Sequence, residues 1–563
     1  MRRRNRWTTV VSVAAVAALL ALVAAGCGGS KSSNGGTTTA ASGGTSGAVK
    51  TKTFPVLRVA WTTGIDFFDP GLSYTVDGWS ILWNVYTPLL GYKHVGGPDG
   101  ATLVPALTEA LPDVSSDGLT YKLTLEKGLK YSDGSPVKAS DFANSVKRLV
   151  VSGGPYSSFA TGIVGADKLK SCSDDLKGIV TDDATGDITI TLAAPDTKFR
   201  FALSETWTAP TPAAKSPCKG QENPPPPGYG AYTWKIQNPS RQFTLTKNPK
   251  FNLPGIPKGN VDKMTVIKSS VTKMTQDVIN GKLDFMTEDP TGDQLPQVRS
   301  KYPDRIQLHP SPPNIYYFFL NVTVPPFDKL EARQAVNYAI DSTALQRIFS
   351  GRLLPQCTFI PPDVIGHKEG PCPYGDPKGP GNVAKAKELV TKSGTAGQSV
   401  TMWTNSKDPR PAIGDYMRDL LNQIGYKAKL KVLDQQVYFD QVGQTRNKAQ
   451  IGFTDWFMDF PHPSDLLEPA VAGSALASQP TFNTSQVNDP VLNKKIADLV
   501  KQDPQKVASQ YSDLEKYIVQ DKAYLAPYGT EQSTSFFSER MDSKNCAGVH
   551  PQYKNDWLQF CLK

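Results

Sequence analysis

The stretch LTYKLTLEKGLKYSDGSPVKASDFANSVKRLV (residues 119–150) contains the two sequence patterns that decide the fold class. Apolar and polar side chains alternate along Leu119–Leu125, which predicts a half-buried β-strand. After a turn, Ala139–Val150 has helical spacing, and Ser140 is a favourable N-cap. The apolar residues on one face of this helix are Phe142, Val146 and Leu149. A strand followed by a helix favours an α/β arrangement.

The same two patterns recur along the rest of the chain. Asp187–Leu192 alternates as a strand does, and three further segments have helical spacing, namely Glu331–Phe349, Val491–Lys501 and Val507–Val519. We find no internal repeat with a period of about 20–50 residues. Interspersed strands and helices predict an α/β fold instead of a β-sandwich or a helical bundle.

Length, charge and hydropathy exclude two classes of protein. At one domain per ~150 residues, the 563 residues suggest three or four structural units. Only one apolar run approaches membrane-spanning length, and it lies at the N-terminus, which excludes a polytopic membrane protein. Four of the nine net positive charges come from Arg2, Arg3, Arg4 and Arg6. The remainder is too sparse for a nucleic-acid-binding surface.

The N-terminal 53 residues are interpreted as an export signal and a tether. Residues 1–26 combine a basic segment with the apolar run Val10–Ala25, the order of a secretory signal peptide. Ala24-Ala25-Gly26-Cys27 resembles a bacterial lipobox, which implies that Cys27 is lipidated; the alternative is an ordinary cleaved signal. Residues 27–53 are rich in Gly, Ser and Thr, and such a flexible tether reaches roughly 25–30 Å. We therefore expect an extracytoplasmic lipoprotein, anchored to the outer face of the cell membrane.

The remaining six cysteines fall into three couples that are close in sequence. The couples are Cys172 with Cys218, Cys357 with Cys372, and Cys546 with Cys561. None forms a C-x-x-C motif, which disfavours zinc binding and thiol redox catalysis. The pattern predicts three structural disulfides in an oxidising compartment, and the alternative is six unpaired buried thiols.

The sequence contains no recognisable catalytic motif. G-x-S-x-G, G-x-x-x-x-G-K-[ST] and H-E-x-x-H are all absent. The five histidines occur singly, and we expect surface or loop positions for them: His94, His309, His367, His462 and His550. We therefore predict a protein that is not an enzyme and has neither a metal site nor a cofactor.

Aromatic residues cluster in polar loops at three places, one of which is the Gly-rich turn around Tyr229, Tyr232 and Trp234. The first cluster lies near the start of the mature chain and comprises Trp61, Phe67, Phe68, Tyr74, Trp79 and Trp83. The second surrounds Asp459 and comprises Trp456, Phe457 and Phe460. Core packing explains most aromatic residues in any chain, but aromatics beside lone carboxylates also suit a ligand cleft with apolar walls.

Four segments together resemble the dipeptide/oligopeptide-binding class of ABC-importer substrate-binding proteins, solute-binding protein family 5. They are Leu103–Leu111 continuing with Asp117–Phe142, then Gly228–Trp234, then Tyr317–Asp328 with Arg333–Asp341, and finally Asp455–Asp459. The resemblance covers residues 57–560, and the segments occur in the family's order.

The resemblance implies a two-lobed periplasmic-binding-protein fold, type II-like, with three subdomains and a ligand cleft between the lobes. The first lobe would span residues 54–313, with an inserted subdomain at about 91–206, and the second lobe residues 314–525. Residues 526–563 would return to the first lobe. Pro310–Pro313 and Ala526-Pro527 would be the hinge crossings, and a ligand would favour the closed state by contacting both lobes.

The resemblance also implies ligand-binding residues. Asp459 occupies the position at which the family's Asp pairs with a peptide's α-ammonium, and Trp456 would form a wall of that pocket. Other candidate ligand-binding residues are Tyr156, Thr287, Glu288, Asp289, Trp61 and Tyr74. The residues after the Asp, Phe460-Pro-His462-Pro463, depart from the family's usual pattern. That departure leaves the ligand class open.

We therefore expect a monomeric solute-binding lipoprotein of an ABC importer, which captures short peptides and delivers them to permease subunits driven by a cytoplasmic ATPase. The alternative is the same scaffold with a non-peptide ligand, such as an oligosaccharide or a metal chelate. An enzyme or a sensor lipoprotein is a third, weaker alternative. No nucleic-acid partner is expected.

Overall fold

The computed structural model describes residues 56–563 except Thr63, Gly64, Pro155, Tyr156, Glu222, Ser311 and Asp363. The predicted signal peptide (1–26), the lipidation site Cys27, the tether (27–53) and the candidate ligand residue Tyr156 lie outside the described residues. Within the described part of the chain, no helix has both the length and the apolarity needed to cross a bilayer.

Strands are distributed along the whole described chain. They are β1 (Val56–Trp61), β2 (Leu90–Tyr92), β3 (Leu103–Pro105), β4 (Asp113–Val114), β5 (Thr120–Thr124), β6 (Ile179–Asp182), β7 (Asp187–Thr191), β8 (Tyr232–Asn238), β9 (Gln242–Lys247), β10 (Lys263–Lys268), β11 (Phe285–Met286), β12 (Ile306–Pro310), β13 (Asn314–Leu320), β14 (Leu353–Pro355), β15 (Ser399–Asn405), β16 (Lys427–Leu433), β17 (Ile451–Phe457), β18 (Leu525–Phe536), β19 (Val549–His550) and β20 (Lys554–Asn555).

Helices alternate with these strands. They are α1 (Val76–Leu82), α2 (Ala139–Ser152), α3 (Ser157–Ala160), α4 (Phe199–Ala202), α5 (Val271–Ile279), α6 (Leu295–Lys301), α7 (Leu330–Ala339), α8 (Ser342–Ile348), α9 (Val383–Lys392), α10 (Arg410–Gln423), α11 (Gln435–Gly443), α12 (Pro463–Val471), α13 (Pro490–Leu499), α14 (Ala508–Lys516) and α15 (Ser543–Cys546). The interspersed order confirms the predicted α/β class.

The first core is built around a five-stranded mixed sheet. Its strand order is β11-β1-β10-β9-β8, in which β1 runs parallel to both β10 and β11. A separate antiparallel sheet, β4-β5-β7-β6, packs against α2 through β6. One apolar cluster contains buried residues from both sheets, between Leu57 and Val266 in the sequence. It also includes Phe537 and Phe560 from the end of the chain.

The second core surrounds a seven-stranded sheet of order β12-β18-β13-β17-β15-β16, to which β14 adds by pairing with β18. Every residue of β13 is buried, as expected for a central strand that is covered on both faces. Tyr316 and Tyr317 accordingly lie in two different apolar clusters of this core.

Strand β18 connects the two cores. Its first part, Leu525–Gly529, pairs with β13, and its last part, Gln532–Phe536, pairs with β12. Ala526 and Pro527 therefore lie within the second sheet, and the chain returns to the first core after Glu531, the last residue that pairs with β14. We define residues 56–310 and 532–563 as the first lobe and residues 312–531 as the second. The family boundaries expected at 313/314 and 525/526 stay a prediction.

Two local predictions are wrong in detail. The apolar periodicity of Glu331–Phe349 predicts one helix, but the chain forms α7 and α8, because the Asp341 side chain accepts from the backbone N–H of Thr343 and starts a new helix. Helix α2 has Lys138 at its N-cap and not Ser140. The carboxylate of Asp141 reaches back to the Lys138 N–H at 3.0 Å, as in a capping box.

The three predicted disulfides are confirmed. Cys172–Cys218, Cys357–Cys372 and Cys546–Cys561 are bonded, with Cα–Cα distances of 5.6, 5.7 and 5.7 Å. The last of them closes a loop in the C-terminal segment that packs on the first core.

Candidate functional site

The loop after β17 places Asp459 in a buried position ahead of α12. Asp459 is only 5% exposed. Asp465, in the first turn of α12, holds this loop, because its Oδ2 accepts from the Asp459 N–H at 2.9 Å and from the Trp456 indole N–H at 3.1 Å. The strand end, the loop and the helix start therefore form one hydrogen-bonded unit around the Asp459 carboxyl group.

Tyr74 of the first lobe reaches this carboxyl group. Its hydroxyl donates to Asp459 Oδ2 at 2.6 Å. The Tyr74 backbone N–H in turn donates to Asp66 Oδ2 at 2.6 Å, and the Tyr74 ring packs edge-on against Trp79 with the centroids 5.5 Å apart. Two candidate residues from opposite lobes are thus brought together at the interface.

Burial controls the protonation of this site. It raises the pKa of Asp459 to about 7, and the hydrogen bonds from Tyr74 and Asp465 act in the opposite direction. Burial, followed by the charge of Asp459, raises the pKa of Asp465 well above its usual range. The ionisation of the two buried carboxyl groups is linked, because a negative charge on one opposes ionisation of the other. Loss of the first proton from the pair therefore changes the site from neutral to singly negative. A cation that reached Asp459 would favour the ionised form.

Trp456 and Trp61 are both core residues. Trp456 is 8% exposed, lies in an apolar cluster of the second lobe and packs edge-on against Phe482 with the centroids 5.2 Å apart. Trp61, at the end of β1, is 2% exposed and packs on Phe243 at 4.7 Å. Trp456 contributes to the Asp459 site indirectly, because its indole N–H donates to Asp465, which also accepts from the Asp459 N–H.

The loop that follows β11 carries three further candidates. Because β1 and β11 are parallel, Thr62 and Glu288 follow their strands at the same edge of the sheet, and the Thr62 hydroxyl donates to Glu288 Oε1 at 2.5 Å. The Thr287 carbonyl accepts from Lys554 Nζ at 3.2 Å. In open α/β sheets, ligands bind beyond the carboxyl ends of parallel strands. This edge meets the second lobe at Asp289, the residue after Glu288, which pairs with Arg352.

Asp289 joins the two lobes. It forms an ion pair with Arg352 of the second lobe and accepts from the Thr534 N–H at 2.5 Å. Burial raises the pKa of Asp289, and the charges of Arg352 and Lys554 act against that rise. Asp289 therefore belongs to a network of charges beside the chain crossings, in which Arg352, Lys554 and Glu531 are its charged neighbours.

The sequence did not reveal a buried ion pair in the second lobe. Arg410, at the start of α10, pairs with Asp455 of β17, and its guanidinium lies 4.8 Å from the ring centroid of Tyr316 and 4.6 Å from that of Phe453. Tyr316 in turn donates to Glu531. These residues are far apart in sequence and have no common motif, so no sequence signal could have identified them.

The expectation of surface or loop positions is wrong for His309 in β12 and His550 in β19, which are buried strand residues; His462 does lie in the loop before α12, but it is buried as well. Each has a hydrogen-bonding partner for a ring nitrogen; His462 Nδ1, for example, accepts from the Ser464 N–H at 3.2 Å and caps α12. Burial lowers the pKa of His462 to about 3 and that of His550 to about 4. Among the described residues there is no cluster of three or more His, Cys, Asp or Glu suited to a metal.

Comparison with known proteins identifies the family. Residues 102–478 match the model of the bacterial extracellular solute-binding proteins, family 5 middle region, and the chain belongs to this family. It is therefore an extracytoplasmic solute-binding protein of the kind that serves ABC importers, a class that generally lacks enzymatic activity.

The individual relatives share between 20% and 26% of their residues with this chain. The glutathione-binding protein GsiB of Salmonella typhimurium strain LT2 is 26% identical over 439 residues, which span 76% of this chain and 81% of the relative. The clavulanic acid biosynthesis oligopeptide binding protein 2 superposes with a TM-score of 0.83 at 22% identity, covering 90% and 95% of the two chains. DppA of Helicobacter pylori, in complex with the peptide STSA, gives a TM-score of 0.75 at 20% identity, covering 90% and 98%. These structures share the two-lobed fold.

Proposed function

We propose that the protein binds short peptides with a free N-terminal amine in the cleft between its lobes. One observation carries the proposal: the carboxyl group of Asp459 is buried at the lobe interface and contacts Tyr74 of the opposite lobe. An uncompensated buried carboxylate is costly, whereas an α-ammonium beside it is a matched partner. Closure of the lobes around such a pair selects for the amine.

The remaining parts of a peptide would be held without regard to sequence. Backbone groups lining a cleft can hydrogen-bond an extended main chain whatever its side chains. Among the candidate residues, Thr287 and Glu288 lie at the strand edge that follows β11, beside the Asp289–Arg352 contact with the second lobe, and we expect them to contact the main chain beyond the first residue. Glutathione, which GsiB is named for binding, also carries a free α-ammonium.

Delivery would follow the family's route. We propose that Cys27 is lipidated, that residues 27–53 tether the lobes to the outer face of the membrane, and that permease subunits with a cytoplasmic ATPase recognise the closed monomer. The lobes would be residues 54–313 with 526–563, and residues 314–525, as the family pattern implies.

The test is to identify what co-purifies with the protein. Native mass spectrometry followed by denaturing release is expected to yield a set of short peptides. Calorimetry with Ala-Ala-Ala and with its N-acetylated form should then show binding of the free amine alone, and Asp459→Asn should weaken that binding at least about 100-fold, as expected for loss of a buried charge pair.

Asp498→Asn is the matched control, since Asp498 is exposed and pairs with Lys494 on the surface of α13. A single released non-peptide mass, or equal affinity for the acetylated peptide, would reject the proposal.

A further inference from the structure

Besides the Asp459–Tyr74 and Asp289–Arg352 contacts, the lobes touch at a surface that begins at the residue after Asp459. Phe460 is completely buried, and the two aromatic rings that contact it among the described residues belong to the first lobe. Its ring centroid lies 5.5 Å from that of Phe159 and 6.0 Å from that of Phe201, nearly parallel to the latter. Separation of the lobes would expose these apolar rings to water, so their burial favours closure.

An ion pair flanks this aromatic contact. The ammonium group of Lys198, in the first lobe, lies 2.9 Å from Glu468 Oε2 of α12 and 3.1 Å from Asp196 Oδ2. The side chains of Lys198 and Glu468 are 16% and 30% exposed. A charge pair that is so largely shielded from water is stronger than a pair on the open surface.

Two hydrogen bonds to a backbone carbonyl complete the contact. The Thr197 N–H donates to the Val500 carbonyl at 3.0 Å, and the Thr197 hydroxyl donates to the same oxygen at 2.8 Å. Val500 is the C-cap of α13, so its carbonyl is one of those that a helix leaves without an intrahelical partner. The first lobe thus caps a helix of the second.

We infer that these contacts form a latch, made of residues 196–201 with Phe159 on one lobe and of Phe460, Glu468 and Val500 on the other. The latch stabilises the closed state through contacts between the lobes, whichever ligand is bound. It also gives a role to Phe460-Pro-His462-Pro463, the segment that departs from the family pattern. The inference rests on the proposed function only in taking the interface to be a ligand cleft that opens and closes.

The physical consequence is a uniform effect on affinity. Only the closed state makes all contacts with a ligand, so the apparent dissociation constant depends on how often the empty protein is closed. Asp459 discriminates between ligands, whereas the latch changes the affinity for all of them by the same factor.

Hydrogen exchange of the ligand-free protein tests the latch directly. Lys198→Met and Glu468→Gln, made separately, are expected to speed exchange of the Thr197 amide, because that amide is bonded across the interface. Each should also weaken the binding of Ala-Ala-Ala and of glutathione by a similar factor, about three- to tenfold. Lys494→Met, which removes an exposed ion pair on α13, is the control and should change neither quantity.

Unchanged exchange at Thr197 in both variants would overturn the inference, as would a loss of affinity confined to one ligand. The exchange measurement needs no ligand, so it remains decisive if the peptide proposal fails. Circular dichroism of each variant excludes general unfolding as the cause of faster exchange.

Discussion

The hydroxyl of Tyr74 and the carboxyl group of Asp459 are 2.6 Å apart, although 385 residues separate them in the chain. The bond crosses the interface between the lobes, so the group proposed to hold the ligand also takes part in closure. A carboxylate has about four acceptor positions on two oxygens. Asp459 can therefore accept from Tyr74 and from a ligand ammonium at the same time.

Binding of a free amine is expected to depend on pH with a maximum between about 7 and 8. The pKa of Asp459 is raised to about 7, so below that pH a proton occupies the carboxylate that the ammonium requires. Affinity should fall up to about tenfold for each pH unit below 7. Above about pH 8 the peptide's own amine loses its charge. Calorimetry of Ala-Ala-Ala from pH 5 to 9 measures this profile, and a flat profile would contradict it.

Tyr74→Phe is expected to move the acidic limb of that profile to higher pH. The hydroxyl stabilises the ionised form of Asp459, so its loss raises the pKa of the carboxyl group further. The same calorimetric titration detects the shift of the midpoint. Tyr302→Phe serves as the control, because Tyr302 packs on Arg305 in the first lobe and does not contact Asp459. An unchanged midpoint in Tyr74→Phe would show that the bond does not form in solution.

Asp459→Asn is expected to stabilise the ligand-free protein at pH 8. The folded-state pKa of Asp459 is raised, so the neutral form is favoured by folding; that stabilisation is complete below about pH 4 and is lost as pH rises through about 7. Asn stays neutral and can still accept from Tyr74. The free energy of unfolding of the variant should exceed that of the wild type by at least about 1 kcal/mol at pH 8, since each unit by which the pKa is raised corresponds to about 1.4 kcal/mol. The two proteins should be equally stable at pH 3.5. Urea unfolding at the two pH values measures the difference, and a less stable variant at pH 8 would contradict the expectation.

Arg410→Leu is expected to cost about 3–5 kcal/mol of folding stability, because it leaves the Asp455 carboxylate unpaired in the second lobe. The side chains of Arg410 and Asp455 are 11% and 15% exposed. Arg418→Leu, on the same helix, removes surface ion pairs and should cost less than about 1 kcal/mol.

Urea unfolding of the single variants and of the Arg410→Leu/Asp455→Leu double variant provides the measurement. The double variant should recover much of the lost stability, since no buried charge then remains without a partner. Equal costs for the Arg410 and Arg418 variants would contradict the expectation.

Local sequence patterns predicted local features well. The alternation of Leu119–Leu125 became strand β5, and cysteines close in sequence became disulfides. The break between α7 and α8 was missed because the apolar spacing continues across it. Asp341-Ser-Thr is a capping signal that could have located the break.

The sequence by itself determined the α/β class, the disulfides and the family. Each was read from residues that are near one another in the chain: the apolar periodicity of strands and helices, the cysteine couples and the contiguous family motifs. It also singled out Asp459 as a candidate. The tertiary structure alone decided that Tyr74 meets Asp459, that Arg410 pairs with Asp455 and that Thr197 caps Val500. Each of these contacts joins segments from different strands, helices or lobes. Their distances, and the burial that moves the pKa of Asp459, exist only after the chain has packed.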